Sequence, residues 1–311
     1  MPGWLLAVTT VAVMACAEAD APYRIDVDLA PSIRALTADD LEVSAAAGDR
    51  LVALGEDAVP ALDAALRYED EATRVAVVET LAEMSAAARV PPLVRTLRED
   101  ALATVRAEAA FALRGTRQDA AVEDTLVAAL GDGAPEVRQN ASTACGSLCR
   151  GALCIERLTA LALGDDTVAV WWAARMALVR LRRDGGAAEA VDSAVRAAAP
   201  ARLAEADAAR ADRAALLLAD IGDARGAGRL EDLVEASGDV TTRQQAVSAL
   251  GEVGGPEVIA VLCDARRQTA FAVLAEGALQ RAAARGVDGA RPALETCPGP
   301  PPRHPVAAAT R

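Results

Sequence analysis

A leucine recurs along this 311-residue chain at Leu54, Leu81 and Leu113, gives way to Cys145, and returns at Leu178, Leu218, Leu250 and Leu279. The steps are 27, 32, 32, 33, 40, 32 and 29 residues. A period of about thirty residues marks a stack of short supersecondary units rather than one closed core. Seven residues before each rung from Leu81 onward stand Arg74, Arg106, Arg138, Trp171, Ala211, Arg243 and Ala272. Four before each stand Val77, Ala109, Ala141, Ala174, Ala214, Ala246 and Ala275. Offsets of 0, 4 and 7 share one face of an α-helix. The small residue lets a neighbouring helix approach, and the leucine fills the space between layers.

Each such helix follows another apolar segment, such as 58–66, 90–97, 122–130 or 257–262. The unit is thus a helical hairpin whose apolar face is buried only by its neighbours. Punctuation agrees. Leu54-Gly55-Glu56-Asp57-Ala58-Val59-Pro60 ends one helix at glycine and opens the next with proline, and Val253-Gly254-Gly255-Pro256 repeats the design. Acidic residues precede the second helices: Asp70, Asp100, Asp132, Asp165 and Asp239 suit helix starts, where a carboxylate meets free amides and positive partial charge.

The pattern Leu-Gly-x-x-x-Ala-Val-Pro-Ala-Leu, then an acidic turn and Val-Arg-x-x-Ala-Ala-x-x-Leu, resembles the HEAT repeat, in the short form found in phycobilin lyases. Val105-Arg106 through Leu113 and Val137-Arg138 through Cys145 carry the second half best. The resemblance covers residues 41–286 and implies an all-α, right-handed solenoid of about eight hairpins. The long step between Leu178 and Leu218 departs from it, and its Ala-rich segment with Pro200 predicts an added turn or partial helix. Residues 287–311, rich in proline, read as an extended tail.

Composition fits. Apolar residues make up 53% of the chain, with only three Trp, two Tyr and two Phe, and Ala, Leu and Val suffice for stacked helices. The net charge of −13 repels nucleic acid and anionic lipid head groups and favours partners with basic patches.

Leu5 to Ala15 is apolar but far shorter than the ~20 residues that span a bilayer. It ends in Val13-Met14-Ala15-Cys16, which resembles a bacterial lipobox. That resemblance implies a signal peptide at 1–15, a lipid on Cys16, a linker over 16–40 leading into a capping helix, and export to the cell envelope. Membrane contact is then through the lipid alone.

Of the other cysteines, Cys145 sits on a rung and reads as a small buried apolar group. Cys145, Cys149 and Cys154 lack the paired two-residue gaps of zinc sites and have no nearby histidine, so no metal is expected. In an exported chain Cys149 could bridge Cys154 and Cys263 could bridge Cys297. Five thiols leave the connectivity open.

No catalytic residue or cofactor is expected. The single histidine, His304, lies among prolines, and lysine is absent, so triad, Schiff-base and P-loop chemistry have no placed group. Two features are left for binding. The row Arg74, Arg106, Arg138 and Arg243 either holds carboxylates of a partner or, the preferred reading, pairs with acidic residues of its own repeats. Trp171 breaks that row, and Trp172 follows about 100° around the helix, so one is expected to pack and the other to reach the surface. The leading function is an exported, lipid-anchored scaffold that binds another protein. The alternatives are a cytoplasmic adaptor or regulatory subunit and, third, a phycobilin-lyase-like factor.

Overall fold

A computed structural model describes residues 29–116, 119–184 and 186–299. The signal segment, Cys16, and His304 with the prolines around it (300–305) lie outside the described residues. Among those described there is no strand, and no helix is long and apolar enough to cross a membrane. The chain is an all-helical solenoid.

Eight antiparallel pairs follow one another. They are α1 (Ala30–Ala35) with α2 (Leu41–Leu54), α3 (Val59–Tyr68) with α4 (Glu71–Ala82), α5 (Ala86–Glu99) with α6 (Ala103–Ala112), and α7 (Ala120–Ala129) with α8 (Pro135–Leu148). Then come α9 (Ala152–Gly164) with α10 (Val168–Arg183), α11 (Ala188–Arg202) with α12 (Ala208–Asp220), α13 (Ala227–Ala236) with α14 (Val240–Val253), and α15 (Pro256–Arg267) with α16 (Ala272–Ala284). A last helix, α17 (Ala290–Thr296), closes the described chain.

Local chemistry sets the boundaries. Asp40, Asp70, Asp207 and Asp239 accept amide hydrogen bonds at the starts of α2, α4, α12 and α14. Pro60 and Pro135 sit in the first turns of α3 and α8, where a missing N–H costs nothing. Stacking then buries the rungs. Leu81, Leu113, Cys145, Leu178, Leu218, Leu250 and Leu279 are all enclosed, as are Val77, Ala109, Ala141, Ala174, Ala214, Ala246 and Ala275 four residues earlier.

Three expectations change. Leu54 is 39% exposed, and Leu51 takes the first rung with Ala47 four residues before it. The array also extends beyond 41–286 at both ends. Residues 29–36 are not linker, since Leu29, Ile33 and Leu36 pack into the core. Nor is 287–299 an extended tail: α17 packs through Ala290 and Ala293, and Pro292 is tolerated because it falls in the helix's first turn. The long step is taken up by longer helices and by the turn at 203–206. α11 is a single helix that runs through Pro200 in its last turn, and α10 continues past its rung to Arg183.

Buried apolar residues form two clusters that meet at α12. Leu217, Leu218 and Ile221 belong to the first, which begins at Leu29. Ala215, Leu216 and Ala219, on the opposite flank of the same helix, belong to the second. Successive second helices pack along their length from α4 to α10 and from α12 to α16, but α10 and α12 scarcely touch.

A candidate protein-binding face along the second helices

The arginine row faces the turn of the following repeat. Arg74 Nη1 donates to Asp100 Oδ2 at 2.9 Å. Arg106 grips Asp132 with two bonds, Nε to Oδ2 and Nη2 to Oδ1, both 2.9 Å. Arg138 does the same to Asp165, at 2.8 and 3.2 Å. Each aspartate also turns its own chain into the next second helix: Asp100, Asp132 and Asp165 accept from the amides of Leu102, Ala134 and Thr167. Arg106 and Arg138 use Nη1 to bond the main-chain oxygens of Asp100 and Asp132. The result is a ladder in which every internal aspartate is held from both sides. The Arg106 hydrogen bond holds the Asp132 carboxyl below the ordinary range. For Asp165 burial pushes upward, but Arg138 and the Thr167 amide outweigh it and the carboxyl also ends low.

Arg243 departs from this pattern. Its partners are the Val234 carbonyl at 2.8 Å and Gln268 Oε1 at 3.0 Å, and its guanidinium lies 4.6 Å from the Phe271 ring centre. Among the described residues no acid pairs with it, because Gln268 stands where the earlier repeats place aspartate.

At Trp171 the ladder changes direction. Arg213, from α12, reaches back to the Asp165 carbonyl at 2.5 Å and lies 5.2 Å from the Trp171 ring centre. Trp171 is half-buried against the second core cluster. Trp172 meets it edge-on, with centroids 5.6 Å apart, and is 38% exposed.

One participant escaped the sequence reading. Arg175, three residues before a rung, stands where other repeats bury Val78, Ala110, Ser142, Ala215 and Val247. Its guanidinium donates twice to Asp220, Nε to Oδ2 at 2.6 Å and Nη2 to Oδ1 at 2.8 Å. Burial pushes the Asp220 carboxyl upward and the Arg175 fork opposes it. A buried ion pair here, together with Trp171 and Arg213, replaces the small residues that bring other second helices together. The gap it leaves is a cleft of about 410 Å³ between α10, α12 and α14, with Trp172, Met176 and Val179 on one wall and Gln245, Ser248 and Ala249 on the other. Comparing the residues three before each rung would have revealed it.

Nearer the N-terminus the same face carries a shallow groove of about 770 Å³ over α4, α6 and α8. Its floor is small, with Ala72, Ala76 and Ala107, and its rim is acidic, with Glu71, Glu79, Glu108 and Glu136. None of these four forms an ion pair with a described residue. Burial and the neighbouring Glu108 push the Glu79 carboxyl upward. The ladder arginines are paired with Asp100, Asp132 and Asp165; the Arg106 charge also reaches Glu136, while Glu71, Glu79 and Glu108 have no ion-pair partner among the described residues. Phe111, 40% exposed, stands on the same face of α6 with the Arg114 guanidinium 4.1 Å from its ring centre.

The repeats match a known family over the first half of the array. Residues 29–114 and 90–179 fit the model for HEAT repeats. The solved structures add the fold. A structure of the Escherichia coli protein YibA has 16% identity and a TM-score of 0.54, covering 81% of this chain and 91% of that one. Kap121p in a mutant form has 12% identity and a TM-score of 0.57, covering 88% of this chain but 34% of the other. Kap121p bound to Ste12p gives 11% and 0.55 over 83% and 33%. Identities this low establish a shared solenoid architecture and nothing finer. No curated protein matches the chain. The HEAT architecture presents a long row of second helices, and in this chain the row carries a mixed cleft, apolar at Trp172, Met176 and Val179 and charged at Arg182, Arg183 and Glu252, and an acidic groove.

Proposed function

We propose that this protein is a non-catalytic scaffold of the cell envelope, tethered by a lipid on Cys16, whose second-helix face captures another protein. Trp172 carries the reading. Six residues before the rung, other repeats place Val75, Ala107, Gln139, Asp212, Gln244 and Val273. Here a tryptophan stands partly exposed beside Met176, itself 37% exposed, at the mouth of a cleft. A large aromatic at a desolvatable pocket is the usual anchor of a protein interface. The acidic groove supplies the complementary preference for a basic segment of the partner. Kap121p, of similar fold, is seen bound to Ste12p and to Nup53p, which supports protein binding by a chain of this fold. Two disulfides, Cys149–Cys154 and Cys263–Cys297, fit an oxidising compartment.

Two variants test the two halves. Cys16→Ala is expected to release the protein from the membrane fraction, and unchanged fractionation rejects the anchor. Crosslinking in the native cell, followed by identification of the captured proteins, is expected to lose its main product in Trp172→Ala. An undiminished product rejects the cleft as the docking point.

A further inference from the structure

The corner between α8 and α9 gathers three sulfurs that the binding face does not use. Cys145 is a rung of α8. Cys149 ends that helix one turn later, its amide donating to the Cys145 carbonyl at 3.0 Å. Cys154 lies in the first turn of α9. The three sulfurs lie within 4.8 Å of one another. All are enclosed, at 0%, 0% and 1% exposure, inside the first apolar cluster. Cys149 and Cys154 form a disulfide, and Cys145 is a free thiol. The sequence suggests the Cys149–Cys154 bridge; that Cys145 lies beside it follows only from the fold, where α8 turns into α9.

The surroundings restrict what three reduced thiols could hold. All three sulfurs are enclosed among apolar side chains, so a net negative site is disfavoured. Three thiolates around a monovalent copper ion are doubly negative and around zinc singly negative, and burying such charge without a counterion is costly. Zinc also takes a fourth ligand, whereas the cluster offers three. A trivalent pyramidal centre needs three sulfurs on one side and leaves the site neutral. We propose that, when the Cys149–Cys154 bridge is reduced, Cys145, Cys149 and Cys154 form a three-sulfur site for a trivalent thiophile of the arsenite class. Three As–O bonds of arsenous acid are exchanged for three As–S bonds, and each departing hydroxyl takes a thiol proton and leaves as water. Arsenic keeps its oxidation state. The preceding reduction takes two electrons and two protons. In the test a phosphine supplies the electrons and becomes the phosphine oxide, with its oxygen from water. The disulfide is thus a lock on the site.

The full chain, reduced with phosphine and freed of it, is titrated with sodium arsenite and followed by arsenic X-ray absorption and native mass spectrometry. The expected result is a population with three sulfur neighbours and no retained hydroxyl on arsenic. Reduced Cys263 and Cys297 together offer only two sulfurs, so arsenic held there keeps a hydroxyl and is told apart by mass. Cys145→Ala and the closer-fitting Cys145→Ser should both lose the three-sulfur population, with folding of each checked by its melting transition beforehand. Persistence of three-sulfur arsenic in both variants overturns the proposal. So does its absence from the reduced parent, or tighter binding of zinc than of arsenite by the same reduced protein.

Discussion

Arg175 and Asp220 lie 45 residues apart in sequence and form a two-pronged ion pair across the gap between α10 and α12. Their side chains are 9% and 15% exposed. Removing one member leaves the other charged and poorly solvated, at a typical cost of about 3–5 kcal/mol. Arg175→Ala and Asp220→Ala should each lower the urea midpoint accordingly. Replacing both together, as Arg175→Met with Asp220→Leu, should recover most of the loss, because well-packed apolar groups often match a buried ion pair.

Close helix approach elsewhere depends on glycine immediately after the rung. A Cβ on Gly251 would lie 2.6 Å from the Ala278 Cα, and one on Gly146 would lie 3.0 Å from the Ala177 Cα. Both neighbours are backbone and cannot swing aside. Gly251→Ala is therefore expected to cost about 1–3 kcal/mol of overpacking in denaturant unfolding, and Gly146→Ala less. Gly133→Ala, with nothing within 4 Å, should fall within about 0.5 kcal/mol of the parent.

Acid should unfasten the ladder. Asp132 and Asp165 have folded-state pKa values below the ordinary one. Their contribution is fully present above the unfolded value of about 4 and is lost as pH falls through the folded value. Thermal melting followed downward from pH about 5 should show this loss, and Asp132→Asn should flatten it. The asparagine oxygen can still accept from the Ala134 amide, so the variant separates the charge from the turn.

The two tryptophans should divide stability from binding. Trp171 is packed against the second cluster, and Trp171→Ala should lower stability by roughly 2 kcal/mol, less than the full cost of a buried tryptophan because it is only half-enclosed. Trp172→Ala should cost less than about 1 kcal/mol in the same unfolding measurement while reducing capture of the partner.

Much of this arrangement was readable from the recurring leucine, because a stacked repeat forces the same offsets to meet in every layer. The rungs from Leu81 to Leu279 follow from it directly. The first rung did not, since Leu51 and Leu54 lie one turn apart and only packing against α4 distinguishes them. The proline-rich segment from 287 reads as an extended tail, yet Pro292, in a first turn, forfeits no intrahelical bond. Arg175 was overlooked because an arginine on a helix ordinarily reads as solvated. Only its column, Val78, Ala110, Ser142, Ala215 and Val247 before the exposed Glu276 of the last repeat, marks it as enclosed. Arg243 kept its place in the row while its partner changed to Gln268, a substitution visible only once the two repeats are set side by side.

The shared aspartates have a consequence for how the array comes apart. Asp100 and Asp132 each end the grip of one repeat and begin the turn of the next, so the energy of a repeat and the energy of its junction are not separable there. In a linear array, cooperativity is set by the coupling between neighbours. The stretch from α4 to α10 should therefore melt as one block, and α12, where the two apolar clusters meet, is the natural frontier at which a front of unfolding from the C-terminal end comes to rest.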